Sequence, residues 1–128
     1  MKIKLLGLLM AGFLAGVYSC TKDQTGKPVS VDCASITASD NTYNLRIGAL
    51  LNNSCGTTPG CHDVDNYQSN GNVRFDTYET SKEGFQNKSA LCTIKQTSGC
   101  VAMPQGAPKL ADSLITYIQC WAENGYAQ

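Results

Sequence analysis

The stretch that decides the reading is Cys55-Gly56-Thr57-Thr58-Pro59-Gly60-Cys61-His62. A Cys followed directly by His has a chemical meaning. The thiol can join a haem vinyl group as a thioether, and the next residue can then swing its imidazole under the iron. A second Cys upstream can take the other vinyl. The usual spacing puts two residues between the cysteines; here five intervene. Pro59 and Gly60 can let the extra residues bulge away from the porphyrin. On this segment alone three other readings stand. Cys55 and Cys61 can form a local disulfide that leaves His62 exposed on a loop. They can bind zinc with His62 and another Cys, although an exported protein favours disulfides over thiolate sites. Or His62 is simply a surface residue.

The second half of the chain bears on that choice. A haem iron with one His needs a sixth ligand, and thioether sulfur is a common one. Met103 lies about forty residues after His62, is followed by Pro104, and precedes an amphipathic stretch. Pro104 fixes the local backbone and removes an N–H that would need a partner. The bland alternative is Met103 as core filler. Met1 and Met10 lie in the N-terminal apolar segment, so Met103 is the only Met after it.

That segment reads as targeting. Lys2 and Lys4 form a basic start, and Leu5 to Val17 is apolar or Gly without charge. Such a run matches the length of a signal-peptide core and is short for a membrane span. It ends in Val17-Tyr18-Ser19-Cys20, which resembles a bacterial lipoprotein signal. Residues 1–19 are then the signal peptide and Cys20 is the lipidated new N-terminus. An ordinary secretory signal or an uncleaved anchor are the alternatives. Residues 20–32 are polar, with Gly26 and Pro28, and read as a flexible tether.

The chain has 128 residues, enough for one domain beyond the tether. Lys plus Arg is 10 and Asp plus Glu is 10. That balance argues against a nucleic-acid binder driven by phosphate neutralisation. Removing residues 1–19 takes away Lys2 and Lys4 and leaves 8 basic against 10 acidic groups. A single His excludes any site built from two or more histidines of this chain. Seven Cys point to an oxidising compartment or to a metal or cofactor site. With Cys20 set aside, six remain: Cys33, Cys55, Cys61, Cys92, Cys100 and Cys120.

Helical periodicity places a first helix over about 42–53, with Tyr43, Ile47, Leu50 and Leu51 on one face. Ser39, Asp40 or Asn41 is its expected cap. Residues 55–72 are rich in Gly, Thr, Pro, Asn and Asp and read as loop. Val73, Phe75 and Tyr78 supply core side chains around a short irregular element. A short helix is expected over 88–96, with Leu91 and Ile94 inward. The prolines of 103–108 exclude continuous helix there. The last helix, about 113–124, carries a stripe of Leu114, Ile118 and Trp121 with Ile115 and Ala122 beside it. Asp112 is its expected cap, and Gly125 suits the left-handed residue after its end. Lys82, Lys88 and Lys95 are too scattered for a docking patch and read as solvated surface.

Four pieces in order carry a family resemblance. They are Tyr43-Asn-Leu-Arg-Ile-Gly-Ala-Leu-Leu-Asn-Asn-Ser-Cys55, the Gly60-Cys61-His62 step, Met103-Pro-Gln-Gly106, and Lys109-Leu-Ala-Asp-Ser-Leu-Ile-Thr-Tyr-Ile-Gln-Cys-Trp121 running into Asn124-Gly125. Together the chain over 33–128 resembles the single-haem, cytochrome c-type domains of bacterial lipoproteins. The resemblance implies an all-α haem domain with N- and C-terminal helices packed together. It implies haem c held covalently by Cys55 and Cys61, with His62 and Met103 as axial ligands of the iron. With those two cysteines assigned to haem, three pairings of the other four remain. Cys92 with Cys100 would tie down the loop carrying Met103. Cys33 with Cys120 would join the domain's start to its last helix.

The expectation is therefore a membrane-anchored electron carrier, not an enzyme, exchanging single electrons with redox donor and acceptor proteins. It would sit on a bacterial membrane through its N-terminal lipid, in the periplasm or on the cell surface. No Ser–His–Asp pattern, phosphate-binding Gly loop or acid pair stands out. The alternative from another class is a disulfide-stapled lipoprotein module without haem, for binding or structure. A zinc domain comes third.

Overall fold

The computed structural model describes residues 31–56 and 60–128. The expected signal peptide, the lipidated Cys20 and most of the tether lie outside the described residues, as do Thr57, Thr58 and Pro59. Among the described residues the fold is all-α, without a β-strand. Two single 3₁₀ turns, Cys33–Ser35 and Ala38–Asp40, lead in. A helical run follows, made of the wide turn Tyr43–Ile47, α1 (Gly48–Leu51) and the wide turn Asn52–Gly56. After a loop with one 3₁₀ turn (Tyr67–Ser69) come α2 (Tyr78–Asn87), α3 (Ala90–Lys95) and α4 (Asp112–Glu123).

The first 3₁₀ turn is capped from Asp32, the residue just before the expected domain edge. Asp32 accepts the Ala34 N–H at 2.9 Å and so caps the first turn. The first helical run is capped by Thr42, whose Oγ1 accepts the Leu45 N–H at 3.3 Å. The expected caps are occupied elsewhere. Asp40 accepts from Thr37, and the buried Asn41 donates to the Tyr117 carbonyl at 2.8 Å. The run also continues past its expected end, through Cys55 to Gly56.

α2 replaces the irregular element expected around Tyr78. Its start is a reciprocal cap: Thr77 Oγ1 accepts the Thr80 N–H, and Thr80 Oγ1 accepts the Thr77 N–H. Its buried face is Ser81, Gly84 and Phe85, so two of the three inward positions are too small to register as an apolar stripe. Gly84 is required by space. A Cβ there would sit 2.8 Å from Phe75 Cε1 and 3.0 Å from Val73 Cγ1.

α4 begins one residue earlier than expected. Ala111 holds the cap position with no side-chain bond, and Asp112 lies in the first turn, paired with Lys109 at 2.9 Å. A carboxylate there still complements the positive helix start. The buried face is Ile115, Ile118, Cys120 and Trp121, while Leu114 is only half-buried. Gly125 adopts φ 83, the left-handed stop.

The core joins Ile47 and Leu51 from the first run, Phe75, Phe85 from α2, Ala90 and Ile94 from α3, and Ile115, Ile118 and Trp121 from α4. Trp121 is wholly buried, with Phe85 and Tyr126 edge-on at 6.0 and 4.9 Å. One carbonyl links the first helical run to α4. Ala127 O accepts both the Tyr43 N–H, at 2.9 Å, and the Trp121 indole N–H, at 2.8 Å. Two disulfides are formed. Cys33–Cys120 spans 87 residues and fastens the domain's start to α4; Cys92–Cys100 closes a short loop after α3.

Candidate functional site

Cys55 lies in the last turn of the first helical run, with its side chain against the core. Its carbonyl accepts the His62 N–H at 3.2 Å. In an α turn that bond joins residues four apart, which is also the separation of the first Cys and the His in the usual motif. Here it joins residues seven apart. The bond brings the backbones of Cys55 and His62 together across the intervening loop.

His62 is held from three sides. Besides its N–H bond, its carbonyl accepts the Phe75 N–H at 3.0 Å, and its ring Nδ1 lies 2.9 Å from the Val73 carbonyl. A carbonyl can only accept, so Nδ1 carries the ring proton. Nε2 is left as the basic nitrogen, with no hydrogen-bond partner among the described residues. The residue is 8% exposed, and its ring centroid stands 5.2 Å from that of Phe75. This arrangement suits a metal-binding imidazole, whose second nitrogen is oriented by an acceptor behind it. His62 is therefore not the exposed loop residue of the local-disulfide reading.

Cys55 and Cys61 are not joined to each other. Cys61 is exposed, whereas Cys55 is half-buried against the core, and that burial pushes its thiol up to about 11. Among the described residues no group of three or more His, Cys, Asp or Glu side chains converges as metal ligands, so the zinc reading gains nothing.

Met103 arrives from the loop after α3. Its N–H donates to the Thr93 carbonyl at 3.2 Å, and its carbonyl accepts from the Gln96 side chain at 3.3 Å. Its side chain packs, half-buried, on the core.

These four residues line one cleft of about 420 Å³. Val73, Phe75, Ala90, Ile94 and Leu110 give it a mainly apolar wall; Asn70, Lys88 and Gln105 are among its polar lining. The size falls in the range of cofactor and small-ligand sites, roughly 300–1,000 Å³. Lys88, expected as solvated surface, is exposed and also lines this cleft. The Val73 and Thr93 carbonyls and Gln96 were beyond sequence reasoning. Carbonyl acceptors belong to every residue, and no motif marks Gln96. No protein-family model, curated protein or solved structure matches the chain.

Proposed function

We propose that this protein is a membrane-anchored c-type cytochrome that carries single electrons. One observation supports this reading above the others. Cys55, Cys61, His62 and Met103 line a single apolar cleft, and His62 directs its proton to Val73 and so keeps Nε2 for another partner.

The residues fit haem c. Cys55 and Cys61 would hold its vinyl carbons as thioethers, and His62 Nε2 and Met103 sulfur would be the iron ligands. Bound there, haem supplies a one-electron ferric–ferrous couple. The chain's part is to fix both ligands and keep water away. Val73 holds the imidazole orientation, and the Val73, Phe75, Ile94 and Leu110 side chains supply the dry wall. A sulfur ligand and burial both raise the reduction potential relative to two imidazoles or an exposed haem. The disulfide-stapled module without cofactor accounts for Cys33–Cys120 and Cys92–Cys100, but leaves two unpaired thiols in an exported chain. On this reading Cys20 carries the lipid and the domain works in the periplasm or on the cell surface with donor and acceptor proteins.

The test is a reduced-minus-oxidised visible spectrum with pyridine haemochrome, on protein made with a cytochrome c maturation system. A c-type spectrum that survives acid-acetone extraction is expected. A folded, colourless protein would sink the proposal and leave the stapled module.

A further inference from the structure

The end of α3 carries more hydrogen bonding to Met103 than a simple loop requires. Met103 is gripped at both backbone polar groups by this one element: its N–H by the Thr93 carbonyl and its carbonyl by Gln96 Nε2. Gln96 sits at φ 53, a left-handed conformation that a non-glycine residue keeps only where its surroundings hold it. A Gly at this helix end would be the easier choice for the backbone. The side chain that occupies the position instead reaches seven residues along to Met103. The Cys92–Cys100 bridge closes the same turn, with the Thr97 N–H on the Cys92 carbonyl and the Cys100 N–H on the Thr97 carbonyl.

We propose that Gln96 and the Cys92–Cys100 bridge are positioning elements for Met103, holding its thioether in the cleft against competing ligands. The inference rests on the haem reading above. Gln96 touches neither iron nor haem in this scheme; it acts through the Met103 backbone.

The experiment uses the full, haem-loaded ferric protein. Imidazole is titrated in as a competitor for the Met103 coordination position, and the sulfur-to-iron charge-transfer band is followed. Gln96→Gly removes the side chain while relieving the backbone, so its melting temperature should hold or rise. Its imidazole affinity should increase about fivefold, the value of one ordinary hydrogen bond. Cys92→Ser with Cys100→Ser should act in the same direction. Met103→Ala should lose the band altogether and bind imidazole most tightly. If Met103→Ala behaves so but both clamp variants match the parent, the clamp is wrong and the ligation stands. If Met103→Ala changes nothing, Met103 is no ligand and both readings fall, as they do if the protein is colourless.

Discussion

The junction between the first helical run and α4 and the Cys–His–Met cleft solve opposite problems. At the junction the large side chains are sealed and the Trp121 indole, the Tyr78 hydroxyl and the Asn41 amide N–H are bonded, with the buried Asn41 Oδ1 left unpaired. Trp121 is fully buried, its indole N–H is bonded, and Tyr78 Oη donates to the Tyr126 carbonyl at 2.7 Å. The cleft leaves its chemistry unspent. His62 Nε2 has no protein partner among the described residues, Cys55 and Cys61 remain thiols, and the Met103 side chain is half-buried at the cleft. The comparison teaches a division of labour. Helix packing and the Cys33–Cys120 bridge fasten the helices together, and the loops that carry His62 and Met103 are held by a few backbone bonds.

Breaking the junction should therefore cost most. Trp121→Ala removes the side chain shared by the first run, α2 and α4, and should destabilise by about 3–5 kcal/mol. Thermal unfolding by circular dichroism measures it. A loss below about 1 kcal/mol would show that the junction is not the rigid half. Cys33→Ser with Cys120→Ser comes next, at about 2–4 kcal/mol, because the bridge restrains a long loop of the unfolded chain. Chemical denaturation of the two-residue variant against the parent is the measurement. Gly84→Ala follows, at about 1–3 kcal/mol. The new methyl must push Phe75 or Val73, and both line the cleft. This variant sharpens the comparison, since it should lower stability and also disturb the site through Val73, the residue that orients His62.

How much of this was legible depends on where the information sits. α4 and the first helical run showed themselves through large apolar residues at helical spacing. Their caps did not, because Asp40 and Asn41 were equally plausible as caps until tertiary partners claimed them. α2 was hidden because its inward face is Ser81 and Gly84, and smallness needed to admit Phe75 carries no hydrophobic signal. In the site, Cys55, Cys61, His62 and Met103 stood out by chemistry. What holds them did not. The supporting acceptors are carbonyls of Cys55, Val73 and Thr93, and a carbonyl has no residue type.

The smallest effect on stability, and the finest test of the contrast, lies within the cleft itself. The two thiols next to His62 differ in environment: Cys61 is exposed, and Cys55 is packed on the core with its thiol raised from the ordinary 9.0 to about 11 by burial. Only the thiolate reacts, so at pH 8 the reactive fraction of Cys55 is about a hundredfold below that of an ordinary thiol. In folded protein made without haem, iodoacetamide should label Cys61 well before Cys55, as read by peptide mass. The sign for stability follows from the same shift. Below the unfolded value both states keep the Cys55 proton and nothing changes. As pH rises from 9 towards 11 the unfolded chain gives up that proton first, so this group's contribution to stability falls. Protein matured with haem separates the cases further: if the proposed thioethers form, neither cysteine labels at any pH. Equal labelling of the two thiols in the haem-free protein would mean that Cys55 is not held by the core, and that the rigid half of the molecule ends before the cleft begins.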